Sequence, residues 1–298
     1  MIRKVDTQNL DAVCYTQCLR TSAQYEFQAE LEYLKTTHDN WEFLILNNYE
    51  AVMPVPIKRK LGLKFVIFPP LIQQLGVFSK VDDMSLNETF YHDLKTHYNV
   101  YYYAFNAKNQ LPNSLKRRKN YYIPSAPYRE VLKQYSTNRR RNIRPQDKNN
   151  IGLNLSQGKN INDYKSFFDQ HILGIETERL KSYYFEILRR LYDQEWLNIY
   201  EVKKDQQLCS VAMILCGSRR NYLLGFINDK SISSNAPSLV IDYILQHTIE
   251  DTEFSCFGSN IPSIEMFYKR FGAKMETYAY LQNSKLEMIK NLIFQKSI

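Results

Sequence analysis

Short runs of alternating apolar and polar residues, separated by turn residues, open the chain and predict strands at 41–47, 51–57 and 64–68. A 3.6-residue period then takes over. It predicts a helix at 85–97 with Leu86, Phe90 and Leu94 on one face, opened by a capping box, Ser85-x-x-Glu88. A strand at 100–105 follows. The same order returns in the second half, with strands at 196–202, 209–215 and 221–227. A helix at 237–250 turns Leu239, Val240, Tyr243, Ile244 and His247 inward, and a strand at 253–257 closes the set. Matching elements are displaced by about 155 residues, and self-similar order at a fixed offset is the mark of duplication. Two β-β-β-α-β units, each a mixed sheet with a right-handed crossover helix, are therefore expected. Pro112 and the run Lys116-Arg117-Arg118-Lys119 interrupt the apolar periodicity, placing the boundary within 109–123 and dividing the chain into 1–122 and 123–298.

Two further stretches carry chemistry. The segment 254–274 reads as a short apolar strand, a sharp turn at Gly258, and a helix entered through Ser259, Asn260 and Pro262 and ended at Gly272. That helix puts Ile264, Phe267 and Phe271 on one face. A small-polar turn on a helix N-terminus suits an oxyanion or a carbonyl, and an ordinary strand–helix corner has the same signature. The segment 127–143 reads as one helix stopped by Pro145. Val131, Leu132, Tyr135 and Ile143 share a face with Arg139 near its centre, and Arg140, Arg141 and Arg144 lie opposite. Such a basic arc is either a solvated surface or a grip on phosphate.

Composition narrows the classes. At 298 residues with 44% apolar content the chain can bury two cores. It shows no secretory leader, no membrane span and no metal-type cysteine spacing. Its five cysteines read as buried free thiols, so a cytoplasmic protein without a metal is expected. A net charge of +8 points to an anionic small-molecule or carrier-linked substrate, with tRNA among the candidates. The 23 tyrosines include Tyr101-Tyr102-Tyr103, which reads either as a base-stacking platform or as half-buried sheet. No nucleophile constellation is present. Glu201, at a strand end, and Tyr280 are the candidate general base and acid.

Three stretches resemble the Fem-type (FemABX-like) branch of proteins built on the GNAT acyltransferase fold. Segment 254–274 is similar to the Gly-Ser/Thr…Pro…Phe-Lys…Phe-Gly run that ends their second domain. Ser136, Asn138, Arg140, Arg141 and Asn142 match the Ser-x-Asn-x-Arg-Arg-Asn-Ile helix that opens it. Ala51 to Pro56, with Pro69 to Ser79, has the wording of a first domain in an uncharacterised bacterial subgroup. The resemblance implies an α/β protein of the α+β type with two tandem GNAT-like domains, each a splayed mixed sheet flanked by helices. It implies an acyl or aminoacyl transferase whose carrier, an aminoacyl-tRNA or an acyl-CoA, is a co-substrate rather than a tightly bound cofactor. Lys269 would stabilise charge near the transferred group, and Asn138, Arg140, Arg141, Gly258, Ser259 and Asn260 would bind substrate. The usual glycine loop at the crossover helix is missing. Ser233, Ser234 and Asn235 replace it in the second half. In the first half Gln73 and Gly76 form a partial match that Phe78 crowds. Alternative classes are a GNAT-fold binding or regulatory protein without chemistry, a conventional acyl-CoA N-acetyltransferase, and a basic nucleic-acid-binding module.

Overall fold

The computed structural model describes residues 1–60, 62–233, 235–258, 260–284 and 286–288. In chain order the elements are β1 (Ile2–Asp6), α1 (Ala12–Thr21), α2 (Leu31–Thr37), β2 (Trp41–Leu46), β3 (Ala51–Lys60), β4 (Leu63–Ile67) and β5 (Phe78–Ser79). Then come α3 (Met84–His97), β6 (Asn99–Ala104), β7 (Arg117–Ile123), α4 (Tyr128–Gln134), α5 (Thr137–Asn142) and β8 (Leu153–Gln157). The last set is α6 (Lys165–His171), α7 (Glu178–Asp193), β9 (Leu197–Lys204), β10 (Gln207–Cys216), β11 (Arg220–Asn228), α8 (Ala236–Thr248), β12 (Glu253–Ser255), α9 (Pro262–Lys269) and β13 (Lys274–Gln282). The predicted β-β-β-α-β order is present in the second half as β9-β10-β11-α8-β12, and in the first as β2-β3-β4-α3-β6 with the two-residue β5 inserted before α3.

The chain divides into two compact units, 1–118 with 277–298 and 119–276. Their limits differ from a single cut at 122/123. The chain leaves unit 1 inside β7 and returns to it inside β13. The reason is an exchange of strands. In unit 1, β13 pairs antiparallel with β6 through Tyr280↔Ala104, whereas in unit 2, β7 pairs antiparallel with β12 through Phe254↔Ile123. The basic run 116–119, expected as part of a linker, therefore leads into a strand.

In unit 1 the strand order is β1-β2-β3-β4-β6-β13, with β5 on β3. Pro54 and Pro56 have no N–H to give, and the β3–β4 ladder begins only beyond them, at Ile57↔Val66. The core gathers between β2, β3 and the helices, with Tyr15 edge-on to Phe43 at 5.0 Å. The N-cap of α3 is Asp83, whose Oδ1 accepts from the Leu86 amide, rather than the expected Ser85.

In unit 2 the order is β7-β12-β11-β10-β9-β8. Val240, Ile241, Ile244 and Leu245 of α8 cover Ala212, Ile214, Leu223 and Phe254. Each such apolar side chain contributes roughly 1.5–3 kcal/mol of burial. The helix is rotated from the expected phase, so Ile241 and Leu245 are inside while Tyr243 and His247 are exposed. The segment 127–143 is two helices, because Tyr135 is extended and Ser136 Oγ caps α5 by accepting from the Arg139 amide.

Candidate functional site

In unit 2 the parallel pairing of β11 with β12 covers only Arg220↔Glu253, Asn221↔Phe254 and Tyr222↔Ser255. Beyond it β11 continues to Asn228. A register shift at Met213/Ile214 leaves Leu224 as an extra residue on β11, a bulge that bends the strand at the point where pairing stops. The strands therefore splay. Among the described residues, the β12-facing edge of 223–228 carries no ladder, and a Cβ on Gly225 would meet nothing within 4 Å. Unpaired backbone beside open space can accept an extended ligand as an added strand.

The loop that enters α8 is already satisfied. Ser233 Oγ accepts from the amides of Asn235 and Ala236, both at 3.3 Å, and Pro237 has no N–H. Buried Asn235 donates its Nδ2 to Asn150 Oδ1 at 3.2 Å. An anion held here through Ser233 and Asn235, as expected from the sequence, would have to displace these bonds. Ser234 lies outside the described residues.

The turn after β12 is locked in a similar way. Phe257 and Gly258 both take left-handed backbone, at φ 57° and 84°. The Gly258 amide donates to Asn120 Oδ1 at 2.7 Å and is not free to bind a substrate oxygen. Asn120 is fully buried and donates its Nδ2 to Ser255 Oγ and to Glu276 Oε1, at 3.2 and 2.7 Å. Glu276 also takes Arg220 Nη1 at 3.0 Å, and Arg220 grips Glu253 with two more nitrogens. The N-cap of α9 is Ile261, not Ser259 or Asn260. Ser259 lies outside the described residues, and Asn260 accepts from the Lys119 amide at 3.4 Å. Ile264 is exposed, while Phe271 is buried as expected.

Lys269 is exposed and paired with Glu265 at 2.6 Å, and Lys119 reaches the same carboxylate at 3.0 Å. The Lys269 ammonium, more than any other neighbour, holds Glu265 down at about 2. Glu201 sits on β9, three strands from β12 and so about 14 Å away, too far to act at the turn. Burial would raise its pKa. Lys203, Ser156 and Tyr164 more than offset this by donating to its oxygens at 2.8, 2.9 and 3.0 Å, leaving a carboxyl below the usual range. Its local role is to tie β8, β9 and Tyr164 together.

Arg139 is buried, as its place on the apolar face predicts. Its guanidinium stacks 4.3 and 4.1 Å from the rings of Phe267 and Phe271 and donates to Ser238 Oγ and the Phe267 carbonyl. Burial lowers its pKa to about 10. It fastens α5 to α8 and α9. Arg140 and Arg141 are exposed, and Arg141 donates to Asn138 Oδ1 at 2.7 Å. The remaining candidates belong to unit 1. Gln73 gives its amide to Gln28 Oε1, and the Gly76 amide goes to Tyr103 Oη at 3.0 Å. Gly76 is buried at φ 89°, where a Cβ would collide with Asn109 Oδ1 and lie 2.7 Å from the Asn106 nitrogen. This glycine serves close packing rather than an open phosphate loop. Tyr280 lies on β13. The network of Asn120, Arg220, Glu253 and Glu276 was not expected. The alternation of Arg118, Asn120 and Tyr122 with Lys119, Tyr121 and Ile123 was the available signal, masked by the basic run.

No family model and no curated protein matches the sequence. Solved structures do match. The crystal structure of FemX aligns at a TM-score of 0.65 and 10% identity, over 97% of this chain and 100% of that chain. A tandem GNAT protein from the clavulanic acid biosynthesis pathway gives 0.57 at 10% identity, over 94% and 97%. This chain has the tandem GNAT fold. L-PGS from Bacillus licheniformis gives 0.52 at 10% identity, over 97% and 96%. In GNAT terms, the β11–β12 cleft is the splay after the crossover helix, and β4 with β6 is its counterpart in unit 1. There the parallel ladder also shifts register, between Val66 and Ile67. Among the described residues no helix is long and apolar enough to cross a membrane.

Proposed function

We propose that the protein is an acyltransferase of Fem/GNAT type that works in the β11–β12 cleft of unit 2. An acceptor amine attacks the carbonyl carbon of a carrier-bound acyl or aminoacyl group. The C–N bond forms, the C–O or C–S bond to the carrier breaks, and the amine proton leaves to solvent or to the departing group. Such a reaction asks the protein for orientation and polarisation more than for a nucleophile. The observation that carries the reading is the β11 edge beyond Tyr222, which carries no ladder among the described residues and so leaves backbone beside the cleft to orient the acyl or aminoacyl group.

The donor we favour is an aminoacyl-tRNA rather than acetyl-CoA. The α8 amides that would hold a CoA pyrophosphate are capped by Ser233, and the Gly76 loop is closed by Tyr103. Exposed Arg140 and Arg141 are proposed to grip carrier or acceptor phosphate, assisted by Lys269. Asn260 is proposed to face the substrate, on a turn that Asn120 holds through Gly258. Transfer of labelled amino acid from charged tRNA to a panel of amines tests the reading, beside calorimetric titration of acetyl-CoA. Label transfer with no measurable acetyl-CoA binding is expected. Micromolar acetyl-CoA affinity with acetyl transfer would make the protein a conventional N-acetyltransferase. The capped amides also favour a second reading, a binding protein without chemistry, which predicts donor binding and no transfer.

A further inference from the structure

Unit 1 contains a guanidinium that meets no carboxylate among the described residues. Arg118 lies with its guanidinium carbon 4.8 Å from the ring centroid of Tyr102 and 4.9 Å from that of Tyr280. The two rings are 5.6 Å apart and tilted by 38°. Their placement follows from strand register. Tyr280 lies opposite Ala104 and Gln282 opposite Tyr102, so Tyr102 and Tyr280 are diagonal neighbours on one face. Phe68 packs edge-on against Tyr102 at 5.7 Å and supports that wall.

Other half-buried or buried guanidinium groups of the chain have acceptors. Arg220 has Glu253 and Glu276, and Arg139 has Ser238 and the Phe267 carbonyl. Arg118 is half-buried, and its guanidinium makes no hydrogen bond or ion pair among the described residues. The charged group acting on both Tyr102 and Tyr278 beside it is Arg118 itself, with no carboxylate among their electrostatic neighbours. Burial keeps the Tyr102 phenol protonated, so it serves as a donor. The cluster thus offers a stacked fork of N–H groups within electrostatic reach of the Tyr102 and Tyr278 phenols, which are hydrogen-bonded to each other. A guanidinium immobilised by stacking loses little further freedom on binding.

We propose that Arg118, laid over the adjacent rings of Tyr102 and Tyr280, is a receptor for the phosphate group of a small molecule. The fork occupies two oxygens of an anion. A carboxylate then has only the second lone pairs of the same two oxygens for the phenols, whereas a phosphate keeps further oxygens and more charge. The proposal is independent of the transferase reading, since it concerns unit 1 and a different ligand group.

The test is titration of the whole protein at fixed ionic strength with inorganic phosphate, pyrophosphate, UDP and acetate, for wild type and Arg118→Gln. The phosphate probes are expected to bind, acetate much more weakly. Arg118→Gln should weaken phosphate binding about ten- to a hundredfold, the usual range for one charged hydrogen-bonding partner. Tighter UDP than inorganic phosphate assigns a nucleotide as the source, and equal affinity assigns free phosphate. Should Arg118→Gln fail to fold, phenylglyoxal modification of wild type, mapped by peptide mass spectrometry, reads the same residue. Pyrophosphate must then protect Arg118. Unchanged affinity in Arg118→Gln, acetate binding as tight as phosphate, or no protection overturns the proposal.

Discussion

Asn120 holds the Gly258 amide, Ser255 and Glu276 at once. Its removal leaves buried donors and acceptors unpaired, which costs more than the bonds themselves. Asn120→Ala is expected to lower stability by about 1–3 kcal/mol in urea unfolding. A change within error would mean that water replaces the side chain. Glu265 gives a prediction in pH. Its folded pKa of about 2 lies below the ordinary value of about 4.3, so its contribution is complete above that ordinary value. The contribution is lost as pH falls through the interval down to about 2. The stability difference between wild type and Glu265→Gln should therefore be steady from pH 7 to 5 and shrink towards pH 2.5. Denaturation midpoints along that series check it, and a difference that stays flat to the acid end refutes the assignment to Lys269 and Lys119.

The splay of β11 from β12 makes Gly225 a test of the cleft. Open space surrounds its absent Cβ and its backbone is not left-handed, so Gly225→Val should fold with a melting temperature near that of wild type. It should also reduce label transfer or donor binding, because the new side chain stands beside the unpaired edge. Full activity in this variant would move the site elsewhere. The repeated elements were legible because strands and helices of this size carry strong periodicity, and the apolar face of 127–143 correctly buried Arg139. Other features were not legible for identifiable reasons. Tyr135 ends one helix and Ser136 caps the next without breaking the 100° pattern. In α8 the expected and observed inward faces differ by one residue's rotation, ~100°, and only packing decides between them. Whether an amide is free at Gly258 or at the α8 N-terminus depends on Asn120 and Ser233, and a distant partner such as Asn120 leaves no mark on the local motif.

Each unit owes one strand to sequence beyond its own repeat. Ending the chain after Glu276 removes the part of β13 that pairs with β6, so unit 1 should lose protection although residues 1–118 are intact. Hydrogen exchange should show faster exchange in β6 and retained protection in β10 and β11. Unchanged β6 protection would show that the strand exchange is dispensable. The same exchange fixes an order during synthesis. Between the appearance of Ala104 and that of Tyr280 a ribosome needs roughly ten to thirty seconds at ordinary elongation rates. Through that interval the β6 edge, with its tyrosines, has no β13 to cover it, and an uncovered edge invites pairing with other chains. The half of the protein translated first is thus the last to be finished, and nascent chains halted midway carry the greatest risk of aggregation.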